Sequence, residues 1–187
     1  FYVKPAPLVS RDFVFELNER MGADGEPITS LDETQALALA DELVALGVES
    51  VAVCLLHAYA NAAHELQLMN ILADRAPNLR VSLSSQVAPE HREYERTSTT
   101  VIDAFVGPAV ERYLQHYGEQ AQALGYARTA LIMQSNGGVV PLDRARRLAA
   151  GRFVSGPAAA VPAATHVAPR AHCQAALTPT RRRPPIL

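Results

Sequence analysis

Residues 85–107, SQVAPEHREYERTSTTVIDAFVG, concentrate charge, aromatic rings and hydroxyls more densely than any other part of the chain. His91, Arg92, Glu93, Tyr94, Glu95 and Arg96 are six consecutive polar or amphipathic residues, and Thr97, Ser98, Thr99 and Thr100 add four hydroxyls before an apolar run opens at Val101. Ser and Thr side chains compete for backbone hydrogen bonds and Thr is stiff at its first rotamer, so four in a row suit a helix interior poorly. That composition predicts a site or a buried interface. A second reading stands beside it: the charged first turns of a surface helix, with Arg92–Glu95 and Glu93–Arg96 as opposite charges three apart, weakened by the like-charged Arg92–Arg96 pair four apart.

Upstream, strand and helix patterns alternate. Phe13–Leu17 (FVFEL) predicts a strand, and Asn18–Thr29, with Gly22, Gly25 and Pro27, predicts a loop. Ser30 followed three residues later by Glu33 predicts a capping box, opening a helix whose apolar positions Leu37, Leu39, Leu43, Val44 and Leu46 run to Gly47 as its C-terminal cap. Ser50–Leu56 (SVAVCLL) is almost wholly apolar, as a strand buried on both faces of a parallel or mixed sheet must be. A helix over Ala62–Arg75 and a strand over Arg80–Ser84 complete an α/β pattern of strands with flanking helices. Between them, residues 57–65 (HAYANAAHE) stand beyond the carboxyl end of a strand, where open α/β sheets bind ligands, and His57 is placed there. His57, Tyr59, His64 and Glu65 have metal-ligating chemistry, but His57 and His64 are seven apart with no helical frame between them. Asn61 as N-cap and Glu65 in the first helical turn account for half of the stretch without a ligand, so no metal is expected.

Downstream, Val101–Leu124 carries apolar residues at helical spacing, with a kink expected at Gly107 and Pro108 and an end at Gly125. Thr129–Met133 predicts a buried strand leading into Gln134, Ser135, Asn136, Gly137 and Gly138, where paired glycines allow either a sharp turn or close approach to a ligand. A short helix is expected within Val139–Leu148, and another from Ser155, as N-cap, through Val161, with Gly156 permitting close approach.

The 187 residues, 49% hydrophobic, are enough for a real core, and a net charge of −2 gives no electrostatic reason to expect nucleic acid or an anionic membrane as a partner. Two distant cysteines, Cys54 inside an apolar run and Cys173, point to free thiols and a reducing compartment. No stretch approaches the ~20 apolar residues of a membrane span, and FYVKPAPLVS lacks the pattern of a secretion signal, so a cytoplasmic protein is expected. The opening Phe1 reads as the middle of something longer.

Four stretches together resemble the hydantoinase A / 5-oxoprolinase family. EYERTSTT (Glu93–Thr100) is near-identical to the family's run, LLHAYANAAHE (Leu55–Glu65) is similar to its LLHSYANPAHE, and IMQSNGGV and SGPAAAV (Ile132–Val139 and Ser155–Val161) resemble its IMQSNGG and SGPAAGV in order and separation. The resemblance covers roughly Phe13–Val167. It implies a fragment of the actin- and hexokinase-like (ribonuclease H-like) ATPase superfold, with residues 1–84 as the end of an N-terminal domain and 85–168 as the start of the main one. It also implies ATP with Mg, although the family's DxGGTxTD phosphate loops are absent from these residues, and a hydantoinase B-type partner subunit or domain. The implied activity is phosphorylation of a carbonyl oxygen, driving hydrolysis of a cyclic amide such as a hydantoin or 5-oxoproline. Two alternatives remain: an ATP-dependent ketone carboxylase subunit, and a non-catalytic fragment keeping only scaffold and subunit-interaction surface. On the residues, Arg96 suits pairing with a carboxylate or phosphoryl oxygen, and Glu93 or Glu95 suits a general base. His57, Tyr94, Thr97, Ser98 and Thr99 are expected on the substrate, and Asn136, Gly137, Gly138, Ser155 and Gly156 near the nucleotide. Residues 169–187 (PRAHCQAALTPTRRRPPIL) resemble nothing in the family and predict a disordered, frameshift-like tail.

Overall fold

The computed structural model describes residues 6–147 and 155–170. The chain is α/β and divides inside one long helix, between Arg112 and Tyr113, into two compact units. In the first, β1 (Arg20–Met21) and β2 (Pro27–Thr29) form an antiparallel hairpin. They are followed by α1 (Glu33–Leu46), β3 (Ser50–Val53), α2 (Ala63–Arg75), β4 (Arg80–Leu83), a single turn α3 (Ser84–Val87) and the start of α4 (Glu93–Ala123). β3 and β4 pair in parallel, Ser50 opposite Arg80 and Val53 opposite Leu83, with α2 as the crossover.

The core of this unit joins Ala36, Ala40 and Leu43 of α1 to Leu68 and Leu72 of α2 and to Val53 and Leu83 of the strands. The buried face of α1 is rotated from the expected one: two alanines lie at its centre, while Val44 and Leu46 are exposed. Its start differs too. Asp32, not Ser30, is the N-cap, its side chain accepting from the Gln35 amide at 3.0 Å, so the capping residues stand two positions later than the Ser30–Glu33 spacing predicted. Gln35 then reaches back, its side chain accepting from the Asn18 amide at 2.7 Å and donating to the Glu16 carbonyl at 3.2 Å. These bonds serve a segment expected to be a strand: Arg11–Phe13 is a 3₁₀ turn and residues 14–17 pair with no strand. Gly47 closes α1 at φ +65°, as predicted.

α4 begins at Glu93, eight residues before the expected Val101, and takes the whole hydroxyl run into its first turns. Its buried face is polar: Arg96, Thr100 and Asp103 precede Ala104 and Gly107 at helical spacing. Pro108 has no N–H for the Ala104 carbonyl, and Ser50 Oγ donates to that carbonyl instead, at 2.8 Å. Gly107 leaves room for Arg80, whose Cδ would stand 2.7 Å from a Cβ there. Arg80 in turn reaches Asp103 at 3.4 Å and Glu111 at 3.3 Å on the same helix, and Ser82 Oγ donates to Asp103 at 2.8 Å.

In the second unit β5 (Leu131–Met133) and β6 (Val139–Pro141) form an antiparallel hairpin, followed by α5 (Leu142–Arg147). α6 (Ser155–Arg170) starts at Ser155 itself and continues through Pro162, nine residues past the expected end. Residues 148–154 and 171–187, including Cys173 and nearly all of the expected tail, lie outside the described residues.

Candidate functional site

The carboxyl ends of β3 and β4 meet the first turns of α2 and α4 in a buried polar cluster. Glu65 shares a helix face with Leu68 and Leu72, three and seven positions on, so it points inward and is fully buried (0% exposed). One carboxylate oxygen accepts from the Leu55 amide at 3.1 Å and from Ser84 Oγ at 2.6 Å, and the other accepts from the Ser85 amide at 2.9 Å. Arg96 is 1% exposed. Its guanidinium donates to Ser84 Oγ at 3.1 Å and to the Leu55 carbonyl at 2.9 Å, pairs with Glu93, and lies 5.7 Å from the centre of the Tyr59 ring. Ser84 thus donates to a buried carboxylate and accepts from a buried guanidinium, and both polar backbone atoms of Leu55 are engaged. Each buried ion loses several kcal/mol of hydration and persists only with partners of this kind. Arg96 Nε, Glu93 Oε1 and Ser85 Oγ are buried here without a protein partner.

Beside the cluster, burial above all, and then the Glu65 carboxylate, push the Cys54 thiol up to about 11, against the opposing effects of Thr100, Thr97 and Arg96. A thiol so held is a poor nucleophile.

A second set of contacts ties the β1–β2 hairpin and Glu19 before it to the loop after β3 and the first turn of α2. His57, at φ +59°, directs Nδ1 to the Met21 carbonyl at 2.9 Å, Asn61 donates to the Gly25 carbonyl at 2.8 Å, and His64 Nδ1 meets Glu19 at 2.7 Å with both side chains nearly buried. The segment read as a plain loop is therefore a hairpin anchored by three side chains. Asn61 Oδ1 also accepts from the Ala63 amide at 2.9 Å, close to its expected capping role. Among the described residues no group of His, Cys, Asp and Glu could hold a metal ion.

Both readings of the EHREYERTSTT stretch describe a face of α4. Glu93 and Arg96 turn into the cluster. Tyr94 (82% exposed) and Glu95 face outward, with Glu95 and Arg92 3.7 Å apart as an ordinary surface pair. The hydroxyls are accommodated by bonding within the helix: Thr99 Oγ1 donates to the Glu95 carbonyl at 2.8 Å and Thr100 Oγ1 to the Arg96 carbonyl at 2.7 Å. Thr97 is exposed and Ser98 half-buried.

The residues expected near a nucleotide belong to the second unit. Gln134–Gly138 is a hairpin turn: the Gly137 amide donates to the Gln134 carbonyl at 3.1 Å, Gly137 is left-handed at φ +82°, and the Gly138 amide donates to Asn136 Oδ1 at 2.9 Å. Both glycine amides are thus engaged by their own turn rather than presented to a phosphate. Gly156, one residue into α6, is exposed. The family's DxGGTxTD pattern does not occur in the sequence.

Glu65 and Ser84 carry the cluster, and a polar residue on the Leu68–Leu72 face was the signal in the sequence. The role of the hairpin had no comparable signal, because its contacts join residues about 36 to 45 positions apart.

Comparison with known proteins agrees with the motif resemblance. The family model described as hydantoinase/oxoprolinase N-terminal region matches residues 1–76, and that described as hydantoinase/oxoprolinase matches residues 96–178. The chain is 33% identical to caprolactamase subunit alpha of Pseudomonas jessenii over 161 residues, 86% of this chain and 23% of that protein. It is 28% identical to the acetophenone carboxylase gamma subunit of Aromatoleum aromaticum over 161 residues, 83% of this chain and 22% of that protein. The crystal structure of the ATP-dependent caprolactamase from Pseudomonas jessenii aligns with a TM-score of 0.77 at 29% identity, covering 90% of this chain and 24% of that one. The chain therefore spans about a quarter of the length of these relatives. With both halves matched by models of one family and the fold shared over nine-tenths of its length, the chain belongs to the hydantoinase/oxoprolinase family.

Proposed function

We propose that these residues form part of an ATP-dependent subunit that opens a cyclic amide, working with a hydantoinase B-type partner. The observation that carries this reading is the likeness to the ATP-dependent caprolactamase, in sequence and in fold, across nearly the whole chain. Caprolactam, hydantoin and 5-oxoproline share a ring amide, an electrophile too poor for water to attack unaided. In this reading the phosphates of ATP are held by other parts of the longer family subunit. The chain contributes, in this reading, the first turn of α4, where Glu95 acts as a base, Tyr94, Thr97 and Ser98 meet the substrate, and Glu93 and Arg96 fix the turn that carries them. His57 shapes the adjoining loop. The gene's longest polypeptide around these residues, purified with its partner, is expected to hydrolyse ATP only when 5-oxoproline, a hydantoin or caprolactam is supplied. ATP turnover that instead requires a ketone and bicarbonate would replace this reading with the carboxylase one, which the acetophenone carboxylase relative favours. Turnover with neither class leaves the scaffold reading.

A further inference from the structure

We propose that Glu65 is a positioning residue: through Ser84 and the backbone of Leu55 it holds Arg96, and with Arg96 the Glu93–Thr97 turn, in a single arrangement. This rests on reading that turn as part of a cyclic-amide hydrolase.

Glu65 does not cap its own helix: its oxygens take donors from outside α2, and the Ala63 amide is met by Asn61 Oδ1. A leucine at position 65 would continue the Leu68–Leu72 face but leave the Leu55 and Ser85 amides and Ser84 Oγ without their acceptor; the acid that meets them must be desolvated completely. What the acid provides is a fixed geometry. Its two oxygens take three donors from just beyond β3 and β4, Leu55 N in the loop and Ser84 Oγ and Ser85 N in α3, so the segments leaving the two strands are held against each other. The same two residues, Leu55 through its carbonyl and Ser84 through its hydroxyl, receive the Arg96 guanidinium. Arg96 then pairs with Glu93, one turn earlier on α4. A displaced carboxylate at position 65 would free Ser84 to rotate, loosen Arg96, and shift the turn bearing Tyr94, Glu95 and Thr97. Glu65 makes no hydrogen bond to those exposed residues, so its effect on turnover reaches them through the buried groups between.

The test compares wild type with Glu65→Gln, which keeps the shape and removes the charge, and with Ser84→Ala, which breaks the relay and removes no charge. Each is prepared in the assembled enzyme. The expected result is a kcat/KM for the cyclic amide lower by about tenfold or more in both, with KM for ATP within about twofold, because the displaced turn carries the base and the residues that meet the substrate and none that meets the nucleotide. Turnover within twofold of wild type in both variants overturns the proposal. So does a loss confined to KM for ATP. Hydrogen exchange at the amides of residues 96–100, the first in α4 with acceptors one turn back, supplies a readout that needs no activity: faster exchange there in either variant supports the proposal, and unchanged exchange in both overturns it. If the wild-type enzyme turns over no cyclic amide, the functional reading falls and the exchange result alone decides the role of Glu65. Should Glu65→Gln not fold, Ser84→Ala carries both measurements.

Discussion

At Arg96 a full positive charge is kept from water by the Leu55 carbonyl, Ser84, Glu93 and the face of Tyr59. Replacing it by methionine keeps most of the volume, removes the partner of Glu93 and leaves the Leu55 carbonyl and Ser84 Oγ without their donor. We expect Arg96→Met to destabilise the fold by about 2–3 kcal/mol in urea denaturation, above the ~1 kcal/mol typical of a point substitution. Cys54 gives a pH signature of definite sign. Its folded thiol titrates at about 11 against an ordinary value of 9.0, so above pH 9 the unfolded chain sheds a proton that the folded chain keeps. The folded state then binds more protons, and its stability falls as pH rises from about 9 toward 11. Cys54→Ala is expected to flatten that part of a stability–pH curve and to leave the curve below pH 8 parallel to wild type. The acid and the arginine of this cluster were both legible as residues of interest. That one is clamped by the other's partners was not, because Leu55, Glu65, Ser84 and Arg96 are distant in sequence.

α4 shows how an element can be read correctly in pieces and wrongly as a whole. A hydroxyl run argues against helix only while its side chains lack partners, and here Thr99 and Thr100 find them one turn back. Pro108 strands a carbonyl one turn back, and Ser50 from the neighbouring strand takes it up, so the helix runs on through the proline. Ser50→Ala is expected to cost about 1 kcal/mol, and much less in a Pro108→Ala background, where a restored amide serves the Ala104 carbonyl. Equilibrium unfolding of the two single variants and the double variant measures that coupling directly. At α1 the contest is between two possible starts. Asp32→Ala is expected to cost about 1 kcal/mol and Ser30→Ala less than about 0.5, as read by the same unfolding measurement.

For the whole molecule, the relevant comparison is with relatives about four times longer. The 187-residue polypeptide holds no phosphate loop of the family type, and the amides of Gly137 and Gly138 are spent on their own turn. Titration calorimetry of this polypeptide alone is therefore expected to give no ATP binding tighter than about 1 mM, a free energy of roughly −4 kcal/mol. Heat of a micromolar interaction would show that a phosphate site exists among these residues after all. Sequence by itself determined the family, the α/β alternation, the Gly47 cap and the strand–helix–strand order over residues 50–84, because each is written in local periodicity or in a motif a few residues long. Only the tertiary structure decided that residues 20–29 are an anchored hairpin, that the buried face of α4 is polar, and that Glu65 and Arg96 share Leu55 and Ser84. Those facts depend on which unsatisfied donors and charges meet across tens of residues, and a buried polar group is allowed only where a partner from elsewhere in the chain arrives to meet it.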